Sequence, residues 1–321
     1  MKLVIMIPCL NEEETLPLVL NTLPKKLDGI DTIQILIIDD GCTDKTVEIA
    51  KSFGVKEFVH HTKNQGLSRS FRHGLNRALE LGADIIVQTE GDNQYKQERI
   101  GELIQPILDG KADVVIADRL THTIPHFSPF KKFFQKFGTW VLNKAAATDV
   151  PDAISGFRAY TRLAAMQLNP VADYSWATET TIQASYKHQS IAIVPIETNP
   201  KLRESRQFKS SWQHIRRSSI TIVRAYVMYK PYALFFSVGA VLLILGLLPF
   251  GHFIWLSLTV DKTARVYGTH HLQSLVIGSV LLIASFISFT LGVIADLIRI
   301  NRLLIEDMME LVKHDRFKQD L

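Results

Sequence analysis

Two runs of this chain, residues 231–260 and 272–295, contain no Asp, Glu, Lys or Arg. Each exceeds the roughly 20 residues that cross a bilayer as a helix, so the last third of the chain must be helical in lipid or buried in protein. Core helices of that length usually show a polar stripe, and two transmembrane helices are therefore expected in preference to a buried hairpin. The cations agree with a span. Lys201, Arg203, Arg206, Lys209, Arg216, Arg217, Arg224 and Lys230 precede the first run, and Arg299, Arg302, Lys313, Arg316 and Lys318 follow the second. The connecting loop holds only Lys262 and Arg265. The positive-inside rule then puts both ends in the cytoplasm and residues 261–271 on the far side. The formal net charge of +4 is modest. A basic stretch beside a span meets anionic head groups first, so a membrane and not a nucleic acid is the expected partner.

Ahead of the apolar runs, short β-rich stretches alternate with helical patterns. "KLVIMI" is followed by a helix over 12–23, "IQILII" by 43–53, "EFVHH" by 66–82 and "DIIVQT" by 97–109, with "ADVVIA" after them. This alternation predicts an α/β fold, a mainly parallel sheet with helices on both faces, whose ligands bind at the carboxyl ends of the strands. The polar motifs fall at those ends: "PCLNEEE", "DDGCTD", "TEGDNQ" and "DR". The domain reading is a catalytic unit over 1–205, a juxtamembrane amphipathic helix over 206–230, two transmembrane helices over 231–298 and a cytoplasmic tail over 299–321. Residues 120–155 interleave aromatics and lysines, which fits either a membrane-facing flap or a packed amphipathic helix. Cys9 and Cys42 are the only cysteines, which suggests a reducing compartment and no disulfide framework. The N-terminal "MKLVIMIPCL" runs into "NEEE" without a cleavage pattern and is read as the start of a cytoplasmic domain.

"IIDDGCTDKT" places two carboxylates at a strand end, suited to a nucleotide's base and ribose, with Gly41 allowing a tight turn. Taken alone it equally fits a capped βα turn with solvated acids. In "TEGDNQY", alternation along an extended chain would put Glu90, Asp92 and Gln94 on one side, a set of hard oxygen donors suited to Mg²⁺ or Mn²⁺. A surface acidic loop is the simpler alternative. Found together at strand ends, the two motifs point to a bound nucleoside diphosphate. His60-His61 and His270-His271 are not spaced as metal ligands.

In order, "IPCLNEEETL", "IIDDGCTDKT", "NQGLSRSFRHGL", "EGDNQY", "ADRL" and "SGFRAY" resemble the landmarks of family 2 glycosyltransferases with a GT-A fold. The resemblance covers about residues 1–230 and is nearest to the polyprenyl-phosphate glycosyltransferases, similar to dolichyl-phosphate mannose synthase. It implies that Pro8, Leu10, Asn11, Glu12, Asp39 and Asp40 line the nucleotide site. Glu90, Asp92 and Gln94 would stand at the family's Asp-x-Asp-x-Gln metal motif, and Arg119, Ser155 and Arg158 at positions that contact phosphates or acceptor. Arg203 and Arg206 would belong to a basic segment that closes over the phosphates. Asp92, Arg119, Arg158 and Arg203 would thereby be the catalytic set. Glu90 replaces the family's usual Asp and Cys42 its usual Ser.

The implied reaction is inverting transfer of a sugar from a nucleotide-sugar donor, GDP-mannose or UDP-glucose, to a polyprenyl phosphate at the cytoplasmic face. A homo-oligomer is compatible with it. Two rivals are a transferase acting on a hydroxyl, which would need a general base such as Glu179, and a non-catalytic membrane adaptor. "RQFKSSW" lacks the Gln-x-x-Arg-Trp of processive synthases.

Overall fold

A computed structural model describes residues 1–119, 150–152, 154–170, 176–200, 227–228, 230–259 and 269–317. The aromatic and lysine-rich stretch, the juxtamembrane helix, Arg203 and Arg206 fall wholly or largely outside these residues. The described chain forms two units, residues 1–225 with 305–321, and residues 226–304.

The first unit is built on strands β1 (Lys2–Cys9), β2 (Thr32–Asp39), β3 (Glu57–His60), β4 (Ile85–Gln88), β5 (Val114–Asp118), β6 (Arg158–Thr161) and β7 (Ile191–Pro195). They form one seven-stranded sheet in the order β3-β2-β1-β4-β6-β5-β7. All pairings are parallel except those of β6, which runs antiparallel to both β4 and β5. β1 is buried along almost its whole length, as expected of a strand covered on both faces. Helices α1 (Leu16–Thr22), α2 (Thr46–Ser52), α3 (Leu67–Glu80), α4 (Ile100–Leu108), α5 (Arg162–Gln167) and α6 (Trp176–Tyr186) supply the cover. On one face Leu3, Ile5, Ile7, Val87 and Val115 pack with Leu103 and Ile104 of α4. On the α3 side, Gly74 is where helix and sheet come closest: a Cβ there would stand 2.9 Å from the Ile38 side chain. Phe71 of α3 then stacks on Trp176 of α6, ring centroids 4.1 Å apart.

The five expected strands are present, and the four helices between them begin or end a few residues inside the expected spans. β6 and β7 were not anticipated.

The second unit is a pair of helices, α7 (Pro231–Thr259) and the stretch of α8 (Thr269–Arg316) up to Leu304. Both are long and apolar enough to cross a membrane, and only 11% and 22% of their most apolar windows are enclosed by protein. A buried core hairpin is therefore not what forms. Small residues hold the pair together. Ser285 donates to the Gly239 carbonyl and Ser288 to the Phe235 carbonyl, both at 2.7 Å. A Cβ at Gly239 would come within 2.6 Å of the Phe289 ring. In the segment read as a tail, α8 continues unbroken to Arg316, and its residues from Ile305 belong to the first unit.

Candidate active site

The loops after β1 and β2 are laced into one floor. Asn11 Oδ1 accepts from the Thr43 N–H at 2.8 Å, the Glu12 N–H donates to Thr46 Oγ1 at 2.8 Å, and Glu13 and Asp44 exchange bonds with the opposite loop. Asn11 has φ +58°, a left-handed conformation that Asn tolerates better than most residues. Cys42 serves both loops, since its Sγ accepts from the Asn11 N–H at 3.3 Å and lies 3.4 Å from the Cys9 carbonyl. Burial, with the Asp39 charge nearby, pushes the Cys42 thiol up to about 12. The thiol thus does the hydrogen-bonding work of a serine and is not a poised nucleophile. Alkylation of Cys42 by iodoacetamide is expected to be negligible at pH 8. Cys42→Ser should change stability by less than about 1 kcal/mol, read by peptide mass mapping and by denaturant melts. Rapid labelling at pH 8 would contradict the assignment.

Asp39 and Asp40 part company. Asp39 Oδ1 accepts from the Cys42 N–H at 2.7 Å and Oδ2 lies 2.9 Å from His60 Nδ1. Burial opposes ionisation, but the Cys42 N–H and His60 outweigh it and hold the Asp39 carboxyl below its ordinary value. Asp40 turns inward. Its oxygens accept from the Gln65 and Gly66 N–H groups at 2.8 and 3.0 Å, and Oδ1 lies 2.8 Å from His61 Nδ1. His61 is buried and passes the chain on to His73 at 2.8 Å. Asp40, expected beside Asp39 at the nucleotide, fastens the loop before α3 to the end of β2.

The "TEGDNQY" segment is a turn and not an extended chain. β4 ends at Gln88, Asn93 takes φ +59°, and Asp92 Oδ1 accepts from the Gln94 N–H at 3.0 Å. Alternation therefore does not orient Glu90, Asp92 and Gln94. Asn199 secures the turn, its amide donating to the Asn93 and Tyr95 carbonyls at 3.1 and 3.3 Å. Glu90 lies against Gly156, where an added Cβ would be 2.2 Å from Glu90 Oε1. Burial, then the neighbouring charge of Asp92, raise the Glu90 carboxyl to about 7, with Arg119 opposing and Glu12 adding. Among the described residues no three His, Cys, Asp or Glu side chains converge on one point. The crowding of Glu90 and Asp92 is nonetheless what a divalent cation relieves, and Mg²⁺ commonly takes its other ligands from phosphates and water. The donor set fits such an ion.

Arg119, just beyond β5, grips Asp152 with Nε and Nη2 at 2.6 and 2.9 Å. The Tyr95 hydroxyl accepts from the Gly156 N–H at 2.9 Å. Arg158 and Ser155 are wholly enclosed. Arg158 donates to the Ser155 carbonyl at 2.7 Å and to the Thr180 and Thr181 hydroxyls at 3.1 and 3.0 Å, with its guanidinium over the Trp176 ring. That environment makes Arg158 a tie between β6 and α6, away from any open surface. Glu179 is likewise buried. Pro8 lies in β1 beside Ile38, and Leu10 follows at the strand's end. Sequence reasoning missed Tyr95, Asp152 and Gly156, none of which has a distinctive spacing.

A family model described as glycosyl transferase family 2 matches residues 4–168. The chain belongs to this family. Its curated relatives include the UDP-N-acetylglucosamine–dolichyl-phosphate N-acetylglucosaminyltransferase of Methanococcus voltae, 28% identical over 60% of this chain and 84% of that one. The undecaprenyl-phosphate mannosyltransferase of Micrococcus luteus is 25% identical over 61% of this chain and 83% of that one. The dolichol-phosphate mannosyltransferase of Pyrococcus furiosus is 26% identical over 65% and 60%. Among solved structures, glucosyl-3-phosphoglycerate synthase from Mycobacterium tuberculosis, in complex with Mn²⁺, UDP-glucose and phosphoglyceric acid, superposes with a TM-score of 0.53. At 18% identity over 70% of this chain and 78% of that one, it establishes the GT-A-like fold. The chain is a family 2 glycosyltransferase with two apolar helices appended.

Proposed function

We propose that this glycosyltransferase moves a sugar from a nucleotide-sugar donor to a polyprenyl phosphate, with inversion at the anomeric carbon. The observation that carries the proposal is the joining, in one chain, of a family 2 catalytic unit to two helices of membrane-spanning length. The relatives named for dolichyl- and undecaprenyl-phosphate acceptors support it.

In this reading Asp39, with Pro8, Leu10, Asn11 and Glu12 around it, receives the base and ribose, and Asp40 holds the pocket's wall. Asp92, with Glu90 and Gln94 beside it, would hold Mg²⁺ or Mn²⁺, which when bound neutralises charge on the diphosphate. Arg119, oriented by Asp152, faces developing negative charge, and Arg203 and Arg206 bring further cations from the basic segment. Arg158 and Ser155 act at a distance by fixing the bend that holds Gly156 just before β6. A lipid phosphate oxygen forms the new bond to the anomeric carbon while the carbon–oxygen bond to the nucleoside diphosphate breaks and its electron pair leaves with that group. A phosphate monoester has a second pKa of about 6, so the acceptor is already anionic and needs orientation more than a base. The enclosure of Glu179 weighs against a hydroxyl acceptor that would require it as a base. The active face, and both ends of the described chain, would be cytoplasmic. GDP-mannose and UDP-glucose are the donors to test first.

Incubation of the purified protein with a polyprenyl phosphate, Mg²⁺ or Mn²⁺ and a panel of labelled nucleotide sugars is expected to move label from one donor into the organic phase. Chelation should abolish the transfer. A folded protein that labels no lipid from any donor would refute the acceptor assignment.

A further inference from the structure

The C-terminal part of α8 is amphipathic in the reverse of the usual sense. Glu306, Lys313 and Phe317 are buried against the first unit, with Glu310 beside them. Lys313 Nζ donates to the Leu168 carbonyl at 2.7 Å, and Glu310 accepts from Gln167 at 2.8 Å and pairs with Lys187 at 3.0 Å. The opposite side is apolar and open: Leu304 is 57% exposed, Met308 66%, Leu311 67% and Val312 64%. A helix ordinarily turns its apolar stripe toward its own core.

The open side has a seven-residue period. Leu297, Leu304 and Leu311 recur at one position, and Ile294, Asn301 and Met308 stand three residues before each of them. These are the d and a positions of a heptad, with a single Asn at a, the device that fixes register in parallel pairs. Ile298, Ile305 and Val312 widen the seam at e. The docked residues Glu306, Glu310 and Lys313 fall at f and c, on the far side of the same helix.

Lipid does not account for this stripe. Within α8 the apolar run over residues 272–295 is 24 residues long. At 1.5 Å per residue it covers about 36 Å, already more than the roughly 30 Å hydrocarbon layer. The stretch beyond it carries Asp296, Arg299, Arg302 and Asp307 among its apolar residues.

We propose that α8 beyond Ala295 forms a parallel two-stranded coiled coil with the same helix of a second copy of this chain. The parallel sense rests on the membrane reading, since two copies inserted with one topology must present this helix in the same direction. A stretch of three heptads would be marginal as free peptide. Here the stretch is already helical as the continuation of α8, so little ordering is lost on pairing. Confinement to one bilayer raises the effective concentration further.

Full-length protein is first fractionated to establish that it sediments with membranes, which tests the membrane reading separately. Leu304→Cys and Met309→Cys are then oxidised in nanodiscs, Met309 being an exposed b position on the flank. Leu304→Cys is expected to give disulfide-linked dimer at about ten times the yield of Met309→Cys, over the wild-type background from Cys9 and Cys42. Light scattering should give a dimeric mass for wild type and half of it for Leu304→Glu/Leu311→Glu, with sugar transfer retained. Equal crosslinking at the two positions overturns the proposal. So does a monomeric wild type, whether lipid or residues 206–226 of the same chain cover the stripe. Should the double variant not fold, the cysteine comparison decides alone.

Discussion

Asp92→Asn is expected to lower sugar transfer about 10²–10³-fold, the loss typical when one group that stabilises developing charge is removed. The substitution is chosen because it separates charge from architecture. Asp92 Oδ1 accepts from the Gln94 N–H within the turn that follows β4. An Asn side-chain oxygen accepts the same bond, so the turn and the melting temperature should stay unchanged. Single-turnover transfer across a Mn²⁺ titration is the measurement. Activity that recovers in part at high metal concentration would place the lost charge at the metal. Activity within threefold of wild type at every concentration would remove Asp92 from the reaction.

Gly41→Ala is expected to destabilise the protein by about 3 kcal/mol and to abolish nucleotide binding in whatever fraction stays folded. Two costs combine at this position. Gly41 has φ +81°, where side chains are strained, and a Cβ would stand 2.7 Å from the Lys63 carbonyl carbon and 2.8 Å from the Asn64 nitrogen. Neither obstacle is a side-chain end that can swing aside. Relief would have to move the 63–66 loop, whose Gln65 and Gly66 N–H groups hold Asp40. Urea unfolding monitored by circular dichroism, with calorimetry against a nucleoside diphosphate, reads both effects. A variant that unfolds with wild-type midpoint and binds normally would show that the loop yields more easily than its geometry implies.

The five parallel strands were legible because each is an apolar run bounded by turn residues, and the site's location followed from the polar motifs at their ends. β6 was not legible. It is four residues long, and its first, Arg158, is a cation whose burial depends on Thr180, Thr181 and Trp176 from a helix far along the chain. β7 is only half covered and carries little periodic signal. The inward bonds of Asp40 were not legible, because its partners Gln65, Gly66 and His61 come from the loop before α3 and carry no spacing signal. The Asp92 turn was signalled, by the Gly91-Asp92-Asn93 sequence, which favours a left-handed residue over a continued strand. The inward polar face of α8 has no such signature, because composition reveals that a helix has two faces without saying which one its own protein takes.

The reversed direction of β6 carries a consequence for how this scaffold can diversify. Because β6 is antiparallel to β5, the chain leaves the sheet after Asp118 and re-enters at Arg158 on the same rim. Arg119 and Asp152 clasp each other across the neck of that excursion. The intervening stretch is thus held at both of its ends by one ion pair. Its length can vary at little entropic penalty, since closure cost grows only with the logarithm of loop length. The loops after β1 and β2, laced to each other, stand independently of that clasp.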